Sequence, residues 1–345
     1  MTRLDWEEIR YLIAAEKSFV LHAPRQTGKT STLLAMMDVL NQSGEYTALY
    51  MGVESAQAAR NDVAGGMKAI VGSLVEGAAN RLKDVRLREW RESVWEIHAE
   101  FGAFRELLSR WAKDNDKPIV LMIDEVDALV GDTLISLLRQ LRDGYIGRPG
   151  VPFAQSVILC GVRDVRDYRI HTSHNEIITG GSAFNIKAES LRMGSFSQAE
   201  TEALYAQHIA ETGQVFDPAI FPELWEDTHG QPWLVNAMGH ELTWKDKAAR
   251  DRSTPITLEQ YRAARERLIY SRATHLDQLA DKLREPRVHA VISRLLAGNA
   301  LATGDMPSDD LLYVEDLGLI RRFPVMEIAN RIYREVIPRE LTYST

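Results

Sequence analysis

Along the first half of the chain, short apolar runs alternate with longer stretches whose apolar residues recur at helical spacing. Ser18-Phe19-Val20-Leu21-His22 is one such run; Tyr46 to Val53, Pro118 to Ile123 and Ser156 to Cys160 are the others. They are rich in β-branched and aromatic residues, the signature of strands. Lys29 to about Asn41 reads as a helix and Gln42-Ser43-Gly44-Glu45 as a turn. Residues 54–115 read as mostly helical, with a break expected at Gly65-Gly66. Leu134, Leu137, Leu138 and Leu141 line one face of a further helix over Thr133 to Arg142. Strands that are apolar throughout are buried on both faces, so the pattern predicts an α/β fold, a parallel sheet flanked by helices.

From Ser197 onward helical patterns take over. Residues 197–250 read as a small bundle, and residues 256–345 as three or four helices with an irregular hairpin around Gly318-Leu319-Ile320-Arg321-Arg322-Phe323-Pro324. The expected division is therefore an α/β domain at 1–195, a helical domain at 196–255 and a winged-helix-like domain at 256–345. Internal repeats and low-complexity linkers are absent from the sequence.

The 345 residues, 45% hydrophobic and 26% charged, fall in the soluble globular range. No stretch approaches the roughly 18–20 apolar residues of a membrane span. The start, Met1-Thr2-Arg3-Leu4-Asp5-Trp6-Glu7-Glu8, lacks the apolar core of a secretory signal. A single cysteine, Cys160, rules out an internal disulfide and points to a reducing cytoplasm. The net charge of -8 gives no overall attraction to nucleic acid, and residues 256–345 balance 13 Lys/Arg against 13 Asp/Glu. A local basic face stays open.

The candidate chemistry begins just after the first strand, in Ala23-Pro24-Arg25-Gln26-Thr27-Gly28-Lys29-Thr30. A tight loop between strand and helix offers backbone N–H groups and the positive helix end to phosphates. Pro24, Arg25, Gln26, Thr27 and Gly28 would form that cradle, with Ser31 following it. Gly28 lets the backbone come close, Lys29 brings an ammonium to the β- and γ-phosphates, and the Thr30 hydroxyl is placed to ligate Mg²⁺. The pattern is the P-loop GxxxxGK[ST] with Ala23 for its first glycine. Alanine costs little there if φ is negative, and roughly 1 kcal/mol or more if it is positive.

A second signal lies where the third apolar run ends in Asp124-Glu125. Open α/β sheets place their chemistry at the carboxyl ends of strands. Asp124 is expected to hold the Mg²⁺ shell through water, and Glu125 to polarise the attacking water. Arg163, just past the next strand, can sense the γ-phosphate and stabilise transition-state charge. The alternative is a surface cluster, since Arg163-Asp164-Val165-Arg166-Asp167 alternates in sign.

Strand-loop-helix, an inserted helical region, Asp-Glu and then Arg163 together resemble the additional-strand branch of P-loop ATPases, which includes the AAA+ and STAND proteins. His229-Gly230-Gln231-Pro232-Trp233-Leu234-Val235-Asn236 resembles the Gly-x-Pro element of STAND ATPases, which implies that Pro232, on a helical lid, approaches the nucleotide. Leu204 to His208, Thr274 to Leu279 and Ile328 to Val336 are similar to segments of bacterial AAA-like ATP-binding proteins. The lid lacks the arginine that many AAA+ proteins carry, which leans the resemblance toward STAND. It implies ATP and Mg²⁺ as cofactors, ATP hydrolysis, and self-association when ATP is bound. It also implies a protein effector or nuclease as partner, the chain being either a free-standing switch or a module separated from its effector.

Weaker signals have duller explanations. His171 and His174 read as polar loop residues rather than metal ligands, Cys160 as a buried strand residue, and Trp225 and Trp233 as core. Arg142 and Arg148 could act in trans on a neighbour's nucleotide, but a solvated surface explains them as well. Arg321, Arg322, Arg331 and Arg334 could meet DNA phosphates or, with Glu327 and Glu335 interleaved, a protein. The expected function is a nucleotide-controlled ATPase switch. A DNA-loading ATPase and a nucleotide-binding scaffold without turnover are the alternatives.

Overall fold

A computed structural model of the chain describes residues 3–163, 169–171, 177–179, 185–271, 279, 281–297 and 307–343. They fall into two compact units: residues 1–23 with 28–193, and residues 194–345 grouped with the short stretch Pro24–Thr27.

The first unit is built on a five-stranded sheet. Its strands are β1 (Ser18–His22), β2 (Thr47–Gly52), β3 (Ile119–Asp124), β4 (Ser156–Gly161) and, after the short antiparallel pair β5 (Arg169–His171) and β6 (Ile177–Thr179), β7 (Lys187–Arg192). The order is β2-β3-β4-β1-β7 and every pairing is parallel. One strand, β4, thus separates the loop-bearing β1 from the acid-bearing β3.

Among the described residues five helices cover this sheet: α1 (Trp6–Ala14), α2 (Lys29–Ser43), α3 (Val63–Gly77), α4 (Arg86–Asp114) and α5 (Gly131–Gly147). Successive side chains of a strand point to opposite faces, and the core residues divide accordingly. Val20, Leu49, Met51, Leu121, Ile123, Val157 and Leu159 join α3, α4 and α5 on one face. Phe19, Leu21, Ala48, Val120, Met122, Ile158 and Cys160 join α1 and α2 on the other. Burial on both sides explains why these strands read as unbroken apolar runs. In α2, Leu33, Met36, Met37 and Leu40 face the sheet at the spacing of one helix face.

The break expected at Gly65-Gly66 is not there, because both residues lie in the first turn of α3. Asp62 caps that turn by accepting the Gly65 N–H at 3.0 Å. A Cβ on Gly66 would come within 2.4 Å of Thr133 Cγ2 on α5. Gly66 therefore serves close helix packing. Arg148, expected at the surface or in trans, instead caps loose backbone: it donates to the carbonyls of Gln155 at 2.8 Å and Glu16 at 3.0 Å.

The second unit holds α6 (Gln198–Thr212), α7 (Ile220–Thr228), α8 (Pro232–His240), α9 (Leu258–Tyr270), α10 (Pro286–Leu296), α11 (Ser308–Asp316) and α12 (Arg331–Tyr343). Between α11 and α12 runs the hairpin expected near Gly318, formed by β8 (Ile320–Arg321) and β9 (Glu327–Ile328). Capping boxes start α6 at Ser197 and α9 at Thr257. A single apolar core takes side chains from Tyr205 to Ile337, including residues on both sides of position 255. Within it Asp227 is fully buried, accepting from the Tyr261 hydroxyl at 2.8 Å and pairing with Arg265 at 2.9 Å. Arg265 also pairs with Glu335, so the network ties α7, α9 and α12 together.

Cys160 is buried, and that burial pushes its thiol well above the usual range, as expected of a packing residue. His174 lies outside the described residues, as do 172–176 around it. Among the described residues, no helix is long and apolar enough to cross a membrane.

Candidate functional site

β1 runs out of the core at Ala23, which is buried and has a negative φ. The alanine in the place of the first motif glycine is therefore unstrained. Left-handed conformations occur instead at Gln26 (φ 58°) and Gly28 (φ 83°). Such residues turn successive N–H groups inward and shape an anion cradle. Gln26 bears a cost of about 1 kcal/mol for this. The Thr27 hydroxyl is tied back to the Pro24 carbonyl at 2.8 Å. Pro24 is half-buried, while Arg25, Gln26, Thr30 and Ser31 are exposed.

Gly28 is the N-cap of α2, so no side chain caps this helix, and no acid stands in its first turn. The positive end of the helix dipole is left for an anion. Lys29 reaches back over the loop, its Nζ donating to the Ala23 carbonyl at 2.9 Å. That places an ammonium where the phosphate cradle would need it.

Asp124 ends β3 and is almost completely buried. Its Oδ2 accepts from the Thr30 hydroxyl at 2.6 Å and from the Tyr50 hydroxyl at 3.2 Å. Its Oδ1 accepts from the Glu125 N–H at 2.9 Å. Lys29, Thr30 and Asp124 thus come together at the carboxyl edge of the sheet, 94 positions apart in sequence for the last two. The oxygens of Thr30 and Asp124 are hard donors of the kind Mg²⁺ takes, and they stand close enough to share one small cation. Among the described residues no group of three His, Cys, Asp or Glu could hold a metal by itself. Mg²⁺ here would complete its shell with phosphate oxygens and water, its usual mode in nucleotide sites.

Glu125 leaves the strand in a left-handed conformation, φ 62°. For a non-glycine residue that is strain of about 1–2 kcal/mol, and strain of this kind gathers at functional positions. Burial, then the charges of Glu54, Asp124 and Asp127, raise its pKa above the ordinary glutamate value. Asp127 has a further part, its Oδ1 accepting the Val162 N–H at 3.2 Å. That bond ties the exit of β3 to the exit of β4, where half-buried Arg163 follows.

Pro232 lies in the second unit, buried in the first turn of α8, behind a Gln231 side chain that caps the helix at 2.6 Å. Sequence reasoning passed over two residues of the site. Tyr50 reaches Asp124 from β2, and Glu54 stands against Glu125. Neither belongs to a motif; each is brought in by the side-by-side register of β2 and β3, in which Gly52 pairs with Asp124.

No known family's model matches the chain, and no curated protein matches it. Solved structures do. The Walker-type ATPase PABY2304 of Pyrococcus abyssi aligns with a TM-score of 0.59 at 16% identity, over 96% of this chain and 95% of that one. ORC2 of Aeropyrum pernix aligns with a TM-score of 0.49 at 13% identity, over 98% and 94%. RuvB of Thermotoga maritima aligns with a TM-score of 0.48 at 14% identity, over 97% and 95%. At such identities a likeness speaks to the fold alone, and the first of the three carries it. The chain has the P-loop nucleoside-triphosphatase fold, a parallel α/β sheet followed by a helical C-terminal region.

Proposed function

We propose that this chain binds Mg-ATP at the loop 23–31 and hydrolyses it, acting as a nucleotide-controlled switch. The observation that carries the reading is the meeting of Thr30 with Asp124 at 2.6 Å, beside the amino end of α2, which no side chain caps. Chance similarity of a loop to a motif gives no reason for a second, distant carboxylate to stand there.

In this reading the N–H groups of residues 24–31 hold the phosphates, and Lys29 exchanges the Ala23 carbonyl for phosphate oxygen. Thr30 and, through water, Asp124 would hold the metal, which would supply Lewis-acid stabilisation of charge on the phosphates. Glu125 takes a proton from the attacking water, a task its raised pKa favours. Arg163 stabilises charge on the γ-phosphate. Residues 196–255 act as the lid that bears Pro232, and residues 256–345 as the winged-helix-like segment that passes the nucleotide state to a protein partner or a second copy. ATP can drive such a switch only through contacts that differ between its states.

A partner of protein rather than DNA is favoured by the charges. Arg321 and Arg334 both pair with Glu327, at 2.6 and 2.7 Å. Arg322 pairs with Glu315 at 3.5 Å and Arg331 with Asp227 at 3.8 Å. The first turn of α11 carries Asp309 and Asp310. Arginines already matched by carboxylates attract phosphates weakly.

Lys29→Ala should weaken ATP binding by roughly 100-fold, about 3 kcal/mol, in a titration with a fluorescent nucleotide. Glu125→Gln should bind ATP yet turn it over at least about 100-fold more slowly. Equal turnover by wild type and Glu125→Gln would remove the catalytic assignment. Solution mass with ADP, with ATP and with a non-hydrolysable analogue, each with and without DNA, tests the switch. An ATP-dependent change in mass supports it, and DNA-stimulated turnover that fades with salt would replace it with the DNA-loading reading.

A further inference from the structure

Asp124 accepts a hydrogen bond that the P-loop pattern does not account for. Tyr50 and Gly52 point to the same face of β2, since residues two apart share a face. Gly52 stands opposite Asp124 in the β2–β3 register. With no side chain at Gly52, the Tyr50 phenol can run along the strand and place its hydroxyl 3.2 Å from Asp124 Oδ2. A Cβ at position 52 would already touch that hydroxyl at 3.7 Å and Glu125 Oε2 at 3.9 Å, so anything longer would occupy the phenol's path. The ring is half-buried and the Arg81 guanidinium lies over it, 4.9 Å from the ring centroid. A phenol clamped in this way has little freedom to turn from the carboxylate.

We propose that Tyr50 is a positioning residue for the metal site, holding the Asp124 carboxylate at the angle at which it receives Mg²⁺ with the nucleotide. This inference rests on the nucleotide-binding reading above and adds a residue to it. Asp124 has two oxygens, and three protein donors fix them: Glu125 N–H on Oδ1, and Thr30 and Tyr50 on Oδ2. Were the Thr30 oxygen taken up by a cation, the Tyr50 donor would remain to keep Oδ2 from rotating away. Groups that orient a ligating carboxylate in this manner change metal affinity when removed, typically by 10- to 100-fold. A group that merely packed the strand would alter folding and leave the metal response alone.

The test is a Mg²⁺ titration of full-length protein with a fluorescent ADP analogue, repeated with the metal chelated. Tyr50→Phe keeps the ring and removes only the hydroxyl. The Mg²⁺ concentration giving half of the metal-dependent gain in ADP affinity should rise roughly tenfold, while ADP affinity under chelation stays within about twofold of wild type. Gly52→Val, which keeps the tyrosine but blocks its path, should shift the Mg²⁺ response the same way. A Tyr50→Phe response that overlays wild type would overturn the proposal. So would a loss of ADP affinity equal with and without metal, which marks a packing role. Failure of the wild type itself to bind ADP would overturn the nucleotide reading, a result distinct from either.

Discussion

In residues 194–345, Asp227 is buried completely and yet matched by Arg265 and the Tyr261 hydroxyl, while Arg265 is matched again by Glu335. At the carboxyl edge of the first unit the acids have been gathered instead: Glu125 feels Glu54, Asp124 and Asp127 as like charges, and its backbone is left-handed. The titration directions separate the two places. Arg265 holds the Glu335 carboxyl below its usual range, whereas burial and like charges hold Glu125 above it. A network whose charges cancel fixes three helices. A cluster whose charges repel is relieved by positive charge, such as the proposed metal would bring.

Removing an acid should therefore have opposite effects in the two regions. Asp227→Ala leaves Arg265 short of one partner and the Tyr261 hydroxyl without its acceptor in a dry core. We expect a loss of about 3 kcal/mol, read as a lower denaturant midpoint. Tyr261→Phe, which removes one hydrogen bond to the same carboxylate, should cost about 1–2 kcal/mol. Glu125→Gln should raise the thermal midpoint of the ligand-free protein. A carboxyl whose pKa is raised by folding favours the native state below its unfolded pKa and loses that advantage as pH rises through the folded one. The gain from Glu125→Gln should thus be present near neutral pH and close as pH falls toward about 4. If Glu125→Gln melted below wild type at neutral pH, the contrast between the two clusters would fail.

The loop 23–30 and Asp124-Glu125 were legible in the sequence because each depends on local chemistry. A glycine before a lysine needs no knowledge of the sheet, and neither does an acid at the end of an apolar run. The strand order was not legible, because apolar runs say nothing of which strand lies beside which, and β7 was missed. Lys187 to Arg192 reads Lys-Ala-Glu-Ser-Leu-Arg, at the edge of the sheet with β1 as its one partner among the described residues, and has no continuous apolar run. Tyr50 and Glu54 were invisible for another reason: their place beside the acids depends on which strand pairs with which, and in what register. Gly65-Gly66 misled because glycine marks helix breaks and close helix packing alike, and only Thr133 across the interface decides between them.

Ala23 also bears on how such proteins are found. A search pattern that insists on glycine at the start of the phosphate loop rejects this chain at its first letter. Yet the backbone there asks nothing of glycine; the demand falls on Gly28, at φ 83°. Chains with alanine, and by the same reasoning serine, at that first place belong among the candidates for this loop, and a catalogue drawn up by letter rather than by dihedral angle will undercount them.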